Sequence, residues 1–208
     1  MNHDQRTEVG GRPAPRVAPL ERSRWDGETS EVLARLERDG HVPNIFATLA
    51  HHPKLLKRWL VFGGHVLGKS TLPARDRELL ILRTAWRCRS EYEFGQHTLI
   101  GRLAGLGDTD ILRIIEGPAA DGLASFERVL LRATDELLDD RCIADRTWVE
   151  LAKRYDTPQL IDLVFTVGQY TMVAMAANTL RIKRDPGVPG FEVPPQAHTP
   201  PSSAIDRP

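Results

Sequence analysis

Cysteine is scarce in this chain of 208 residues, which contains only Cys88 and Cys142. The two thiols form neither a CxxC motif nor a disulfide framework, so we expect them to be reduced and the protein to be cytoplasmic. An excess of positive charge is also missing, because 28 basic residues balance 28 acidic residues. This balance argues against a nucleic-acid partner and against binding to an anionic membrane.

Two further absences concern membranes and sheets. The N-terminal residues MNHDQRTEVGGRPAPRVAPLERSR lack the apolar core of a signal peptide. We expect no apolar stretch to reach the length of a membrane span. An alternating strand pattern with hairpin turns does not occur either. Together these absences leave helix as the main regular structure.

Helical periodicity covers most of the chain between two tails that lack it. We predict an all-α helical bundle over residues 25–185, built on a helix hairpin and a long apolar C-terminal helix. Residues 1–24 are predicted to be a flexible leader, and residues 186–208 a proline-rich tail that cannot be helical. Phe191 and Val193 of that tail are candidates for docking on the body or on a neighbouring subunit. The predicted helices cover residues 25–39, 44–50, 54–67, 73–87, 90–104, 108–117, 125–138, 146–154 and 157–183.

The last predicted helix is apolar on nearly every face. One subunit of this size has difficulty covering all of those faces, and a long exposed apolar surface promotes aggregation. The sequence therefore predicts a homo-oligomer.

The segment RSEYEFGQH, residues 89–97, concentrates polar groups directly after an apolar run. Ser90 and Glu93 have the spacing of a capping box, in which serine accepts from the third N–H of the helix and glutamate accepts from the serine N–H. Glu91 would then complement the positive end of the helix dipole. On this interpretation Ser90 is an N-cap and not a nucleophile.

A capping box does not account for His97. It lies one turn after Glu93, so both side chains share a helix face with Ile100 and other apolar residues. On the preceding helix, Glu78 also shares its side with apolar residues. A buried carboxylate needs a partner or a shifted pKa. We therefore predict that Glu78, Glu93 and His97 converge directly or through one water, as a site for acid–base chemistry or, alternatively, as a structural polar cluster.

The stretch LPARDRELLILRTAWRCRSEYEFGQHTLIGRLAGLGDTDILRIIEG resembles the carboxymuconolactone decarboxylase and alkylhydroperoxidase D-like superfamily. The resemblance extends from about Asn44 to Phe191. Peroxidases of this superfamily carry the motif Glu-x11-Cys-x2-Cys-x3-His, and counting from Glu78 places Ser90, Glu93 and His97 at its other positions. The glutamate and histidine are present, but both cysteines are replaced. A disulfide relay needs a thiolate and a resolving thiol nearby, so this motif argues against thiol peroxidase activity.

The decarboxylase side of the superfamily implies an enzyme that works on a small molecule without a metal or an organic cofactor, and assembles as a homotrimer or homohexamer. Its substrate would be a small carbonyl, lactone or enol-acid compound that is decarboxylated or isomerised. The site residues implied are His97 as proton donor, Glu93 as its orienting group or a base, and Glu78 as a second carboxylate. Tyr92 and the helix start at Ser90 are candidates for substrate binding.

Two other functions remain open at this point. One is a thiol peroxidase or redox partner that uses Cys88. The other is a ligand-binding or assembly protein that keeps the fold without catalysis.

Overall fold

The structure, a computed structural model, describes residues 13–192. That range folds into nine α-helices and a 3-10 turn at Arg22–Arg24, with no β-structure beyond an isolated bridge between Arg38 and His41. The helices are α1 Gly27–Leu33, α2 Asn44–Leu49, α3 Pro53–Gly68, α4 Ala74–Arg87, α5 Glu91–Leu103, α6 Asp108–Glu116, α7 Ser125–Asp140, α8 Asp145–Ala152 and α9 Thr157–Leu180. The predicted all-α class is confirmed.

Local signals explain most helix boundaries. The Asp156 carboxylate caps α9 by accepting from the Gln159 N–H at 2.9 Å, and proline occupies the first turn. The helix ends at Leu180, earlier than predicted, because Arg181 adopts a left-handed conformation with φ of 55°. The first helix, α1, is also shorter than predicted, and a turn between Arg38 and His41 replaces its second half.

The central element is α4, which packs against α5, α6, α7 and α9. Its side chains Leu79, Leu80, Ile81 and Leu82 are fully buried. Because consecutive residues of one helix point in all directions, burial of this run means that α4 is surrounded on every side. Polar residues on α4, among them Glu78, are therefore held inside the protein.

A smaller apolar cluster lies beside this core, where α1 and α2 pack against α3 around Leu33 and Leu56. Ile45 and Val173 belong to a further cluster that joins α2 to α9. A cavity lies between this smaller layer and the pair of helices α5 and α9.

The long helix α9 is half buried in its most apolar window. By length and composition alone it is apolar enough to cross a membrane, the one such helix in residues 13–192. The expectation that no apolar stretch reaches this length was therefore wrong. Tertiary packing explains the composition, because Leu163, Val167 and Ala174 of this helix are buried against the rest of the chain.

Both ends of the described range lie on the helical body. The N–H groups of Arg16 and Val17 donate to the Leu180 carbonyl at the end of α9, so part of the predicted leader contacts the domain. At the other end Phe191 packs with ring centroids 5.1 Å from Trp86 and 5.4 Å from Phe94. This confirms the predicted docking of Phe191, whereas Val193 lies outside the described residues.

The segment before Phe191 crosses α5 at Gly95. A Cβ built on Gly95 would lie 2.1 Å from the Pro189 carbonyl oxygen and 2.7 Å from a Val188 methyl group. Only glycine permits this close approach. The contact holds the start of the proline-rich tail against the helix that carries Glu93 and His97.

Candidate active site

The candidate site begins with the hairpin of α4 and α5. Arg89 adopts a left-handed conformation with φ of 52°, and the Ser90 N–H donates to the Ala85 carbonyl at 2.8 Å. This bonding pattern ends α4 and reverses the chain within three residues. A Cβ on Gly101 would lie 3.3 Å from Leu82 and 3.8 Å from the Glu78 side chain, so the two helices pack closely at the level of Glu78.

The hairpin brings Glu78 and His97 into direct contact, as predicted. His97 Nδ1 lies 2.7 Å from Glu78 Oε2, and both side chains are buried. The Arg77 Nε–H donates to the other Glu78 oxygen at 3.2 Å. A carboxylate can only accept, so this contact favours a proton on His97 Nδ1 and leaves Nε2 as the ring nitrogen available for chemistry.

Glu93 has a different environment. Its residue is 2% exposed, and neither carboxyl oxygen has a hydrogen-bond partner within residues 13–192. Burial raises the pKa of Glu93 to about 8, and the nearby Ser90 side chain offsets only part of that rise. The carboxyl is therefore mostly protonated at neutral pH and can donate a hydrogen bond. Of the predicted convergence of three side chains, the direct contact forms only between Glu78 and His97, and within residues 13–192 Glu93 has no direct hydrogen bond to either.

Glu93 and His97 line one cavity of about 800 Å³, which we call the Glu93 cavity. It lies between α1, α2 and α3 on one side and α5 and α9 on the other, and its size is typical of small-molecule sites. The apolar lining consists of Val32, Leu36, Pro43, Ile45, Phe46, Trp59, Leu60, Val61, Leu67, Ile100 and Val173. This arrangement combines a few polar groups with largely apolar walls.

Two polar residues of α9 complete the Glu93 cavity. The His97 ring meets the Tyr170 ring edge to face, with centroids 4.7 Å apart. Burial, followed by the charges of Glu78 and Glu93, raises the pKa of Tyr170, so its hydroxyl stays protonated. Gln169 is 4% exposed, and its Oε1 atom has no hydrogen-bond partner within the described residues. The cavity thus contains several buried polar groups that no part of residues 13–192 satisfies, which is unusual for a structural cluster.

Sequence reasoning missed Gln169, Tyr170 and Trp59. Their distance along the chain from His97 conceals the contact, which arises only when α3 and α9 pack beside α5. One signal was present for Gln169, since it is an amide side chain in the mostly apolar middle of α9.

The predicted roles of Ser90 need correction. Ser90 stands at the N-cap position of α5, but its side chain accepts no backbone hydrogen bond, and its hydroxyl is buried without a partner. The predicted capping box is therefore wrong. Ser90 also closes the end of α4 through its N–H, and this double role turns its side chain into the interior. It does not line the Glu93 cavity, so the structure gives no substrate contact to Ser90.

Tyr92, a candidate for substrate binding, has its hydroxyl hydrogen-bonded to other parts of the protein. Its hydroxyl donates to Asp185 Oδ2 at 2.8 Å and accepts from the Ile45 N–H at 3.3 Å. The Tyr92 ring still lines the Glu93 cavity. Tyr92 therefore contributes a wall and not a free hydroxyl.

Cys88 lies just outside this set of residues. Burial raises the pKa of the Cys88 thiol, and the charge of Glu93 adds to the rise. Both cysteines are free thiols. A raised pKa lowers the thiolate fraction on which nucleophilic attack depends. For metals, residues 13–192 contain no group of three His, Cys, Asp or Glu side chains arranged to hold an ion.

Comparison with known families adds to this geometry. The model of the carboxymuconolactone decarboxylase family (CMD) matches residues 53–136, which extend from α3 into α7. Among proteins with curated functions no match is found.

Solved structures also match the chain. An uncharacterized peroxidase-related protein from Ralstonia eutropha JMP134, described as an alkylhydroperoxidase AhpD core, has a TM-score of 0.73 at 16% identity, covering 84% of this chain and 94% of that one. A peroxidase-related protein from Silicibacter sp. TM1040 has a TM-score of 0.70 at 17% identity, covering 92% of this chain and 99% of that one. The debrominase Bmp8 has a TM-score of 0.68 at 15% identity, covering 82% and 92%. At these identities the likeness establishes a shared fold.

Proposed function

Since this chain belongs to the carboxymuconolactone decarboxylase family, with an AhpD-like fold, we propose that it is an acid–base enzyme acting on a small carbonyl, lactone or enol-acid substrate. The reaction would be an isomerisation or a decarboxylation and would use no thiol. One observation carries the proposal: the Glu93 cavity holds a protonated carboxyl beside the His97–Glu78 pair. A proton donor and an imidazole in one cavity are the pair of groups that acid–base catalysis requires.

In this proposal His97 Nε2 takes a proton from the carbon next to the substrate carbonyl, while Glu78 holds the ring through Nδ1. The neutral Glu93 carboxyl donates to the carbonyl oxygen as negative charge develops there. The hydroxyl of Tyr170 and the amide of Gln169 are further donors in the same cavity. Return of the proton from His97 to a different carbon completes an isomerisation. A decarboxylation would break no carbon–hydrogen bond first. The bond from the α-carbon to the carboxylate of a β-keto acid would break, carbon dioxide would leave, and the electron pair would form the enolate. A protonated His97 would then donate its proton to the α-carbon.

A thiol peroxidase is the first alternative, and the family's peroxidase-related relatives favour it. The residues oppose it, because Glu93 stands where a cysteine would be needed and the pKa of Cys88 is raised. A peroxide-consumption assay of Cys88→Ser separates the two functions. Loss of an activity that the wild type possesses would overturn the acid–base proposal.

A ligand-binding or assembly protein without catalysis is the second alternative. It would use the same cavity, so binding alone does not separate it from an enzyme. Turnover separates the two, and the measurement is proton exchange in D₂O.

Proton exchange is the most direct test, because it detects enolisation without knowledge of the product. The protein is incubated in D₂O with a panel of ketones, lactones and β-keto acids, and loss of the α-proton signals is followed by NMR. We expect His97→Gln, which removes the base, and Glu93→Leu, which removes the donor, to slow exchange by at least about 100-fold. Glu91→Gln, on the first turn of the same helix but outside the Glu93 cavity, is the matched control and should exchange like the wild type. If the wild-type protein does not accelerate exchange in any of these compounds, the proposal is contradicted.

We further propose a homotrimer or homohexamer located in the cytoplasm, which the free thiols support. Large apolar side chains are exposed on α3 and α9, including Val61, Phe62, Phe165 and Met175. Phe62 and Phe165 contact each other edge to face at 6.0 Å, so the exposed groups of the two helices are continuous. A surface of this kind favours burial against another copy. Sedimentation at micromolar concentration tests the assembly, and a stable folded monomer would refute it.

A further inference from the structure

We infer that the ligand of the Glu93 cavity is an uncharged, largely apolar carbonyl compound with a planar ring system, and that a carboxylate is excluded from its deep end. This inference rests on the proposed function and narrows it, because it selects isomerisation through an enol over decarboxylation of an acid. Three features of the molecule point to such a ligand: the charges that face the cavity, the partners of the arginines outside it and the shape of its walls.

Among the residues that the structure describes, no lysine or arginine lines the deep end of the cavity. The deep polar lining consists of Glu93, His97, Gln169 and Tyr170, all buried. His97 adjoins the Glu78 carboxylate, so even a protonated His97 leaves the pair with no net charge. A substrate carboxylate placed there would be an unpaired buried anion next to two acidic side chains, which is costly.

The cations that line the cavity are Arg35 and Lys57, and both lie towards its mouth. Their side chains are 78% and 41% exposed, and each makes an ion pair with Glu31. Lys57 also lies 3.6 Å from Glu28. These groups are too exposed and too well paired to neutralise an anion at Glu93.

Two arginines that are buried or half-buried outside this cavity already have hydrogen-bond partners. Arg83 makes two hydrogen bonds to the Asp135 carboxylate and two to backbone carbonyls at the end of α6. Arg77 donates to Glu78. Neither residue lines the Glu93 cavity. Within residues 13–192, a substrate carboxylate in the Glu93 cavity therefore has no buried arginine or lysine to bind.

The walls favour a flat ring. Phe46 and Trp59 contact each other with centroids 5.9 Å apart, and the rings of Tyr92 and Tyr170 line the cavity with them. A volume of about 800 Å³ admits two fused rings with a short substituent. Such a ligand would place its carbonyl oxygen against the donors Glu93 and Tyr170 while its ring packs on the aromatic walls.

The test compares two probes of the same shape, 2-acetylnaphthalene and 2-naphthoate, by isothermal titration calorimetry at about pH 6.5, where Glu93 is protonated and the naphthoate is ionised. We expect the ketone to bind at least about tenfold more tightly than the carboxylate. Raising the pH above about 8 should weaken ketone binding, because the Glu93 donor is lost. Glu93→Gln should remove this pH dependence, since its amide donates equally at both pH values.

A pair of glycine substitutions locates the binding site. A Cβ at Gly64 or at Gly68 of α3 would meet no atom within 4 Å, but only Gly64 lines the Glu93 cavity. Gly64→Phe should therefore abolish ketone binding, and Gly68→Phe should leave it unchanged. Both variants are expected to fold, as their circular dichroism spectra will show.

Three outcomes overturn the inference: equal or tighter binding of the naphthoate, failure of both probes to bind, or ketone binding that survives Gly64→Phe. The proposed function fails separately. Ketone binding without proton exchange in any compound would refute the proposed function and support the inference. Turnover confined to carboxylate substrates would do the reverse.

Discussion

Two buried acids on either side of α5 have opposite surroundings. Asp185 accepts from the Asn44 N–H at 2.8 Å, the Tyr92 hydroxyl at 2.8 Å and the Gln96 amide at 2.6 Å, and it lies 2.9 Å from His41 Nε2. We call this group of residues the Asp185 cluster. Glu93, by contrast, has no hydrogen-bond partner for either oxygen within residues 13–192.

This difference indicates a structural role for Asp185 and a role in chemistry for Glu93. The Asp185 cluster joins the C-terminal segment to α2 and α5, and so it holds two walls of the Glu93 cavity in place. A fully satisfied buried polar group stabilises a fold, whereas an unsatisfied one costs stability. We therefore attribute the buried carboxyl of Glu93 to a role in binding a ligand and not to stabilisation of the fold. The following experiments test this contrast.

The largest effect expected is the pH dependence that Glu93 imposes on stability. Its pKa rises from an ordinary value of 4.5 to about 8 on folding. Between these values the folded chain keeps a proton that the unfolded chain has released, so rising pH lowers the free energy of unfolding by about 1.4 kcal/mol per pH unit. This contribution is complete below about pH 4.5 and lost by about pH 8.

Glu93→Gln has no proton to release at this position, so its free energy of unfolding should fall less steeply than that of the wild type across this window. Chemical denaturation at several pH values measures the gap, which should grow to several kcal/mol. Parallel curves for the two proteins would show that Glu93 is ionised in the folded state and would break the contrast with Asp185.

Next in size is Asp185→Asn. The substitution keeps the shape but presents an amide N–H₂ group to neighbours that are donors. We expect a loss of about 3 kcal/mol of stability, together with weaker binding in the Glu93 cavity as its walls loosen. Asp139→Asn, at an exposed ion pair with Arg87, is the control and should cost less than about 1 kcal/mol. A similar small loss for both variants would refute a structural role for Asp185.

A pair of tyrosine substitutions sharpens the comparison at one hydroxyl each. Tyr92→Phe removes a donor from Asp185 and an acceptor from the Ile45 N–H, so it should cost about 1–3 kcal/mol of stability. Tyr170→Phe removes a hydroxyl from the Glu93 cavity, where it makes no hydrogen bond within the described residues. It should change stability by less than about 0.5 kcal/mol and weaken ketone binding. If Tyr170→Phe lowered stability more than Tyr92→Phe, Tyr170 would have the structural role that we assign to Tyr92.

The smallest effect concerns Ser90→Ala. A capping serine contributes about 1 kcal/mol, but the Ser90 hydroxyl makes no cap bond, so we expect a change below about 0.5 kcal/mol. Asp156→Ala, which removes an actual cap bond to the Gln159 N–H, should cost about 1 kcal/mol. Thermal denaturation distinguishes the two, and equal losses would restore the capping role of Ser90.

Local signals account for the parts that were predicted correctly. Proline at the start of α4, the cap at Asp156 and the helical spacing of apolar residues each act within a few positions, so they can be identified without tertiary structure. The contact of Glu78 with His97 was also predictable, because a short link forces consecutive helices to pack as a hairpin.

Long-range partners explain the failures. Tyr92 was a candidate for substrate binding, but its hydroxyl donates to Asp185, which lies near the tail. Ser90 and Glu93 have the spacing of a capping box. However, the Ser90 N–H donates to the Ala85 carbonyl in the turn that ends α4, and the Ser90 side chain is buried. Spacing shows that a local bond is possible, and competing contacts decide whether it forms.

The sequence by itself determined an all-α fold, the approximate extent of its helices and the pairing of Glu78 with His97, because each depends on residues a few turns apart. Only the tertiary structure decided that Tyr170 and Gln169 of α9 and Trp59 of α3 surround Glu93 in one cavity. It also decided that Asp185 is satisfied and Glu93 is not. The physical reason is that the pKa of a buried acid depends on every group around it, and those groups come together only when distant helices pack.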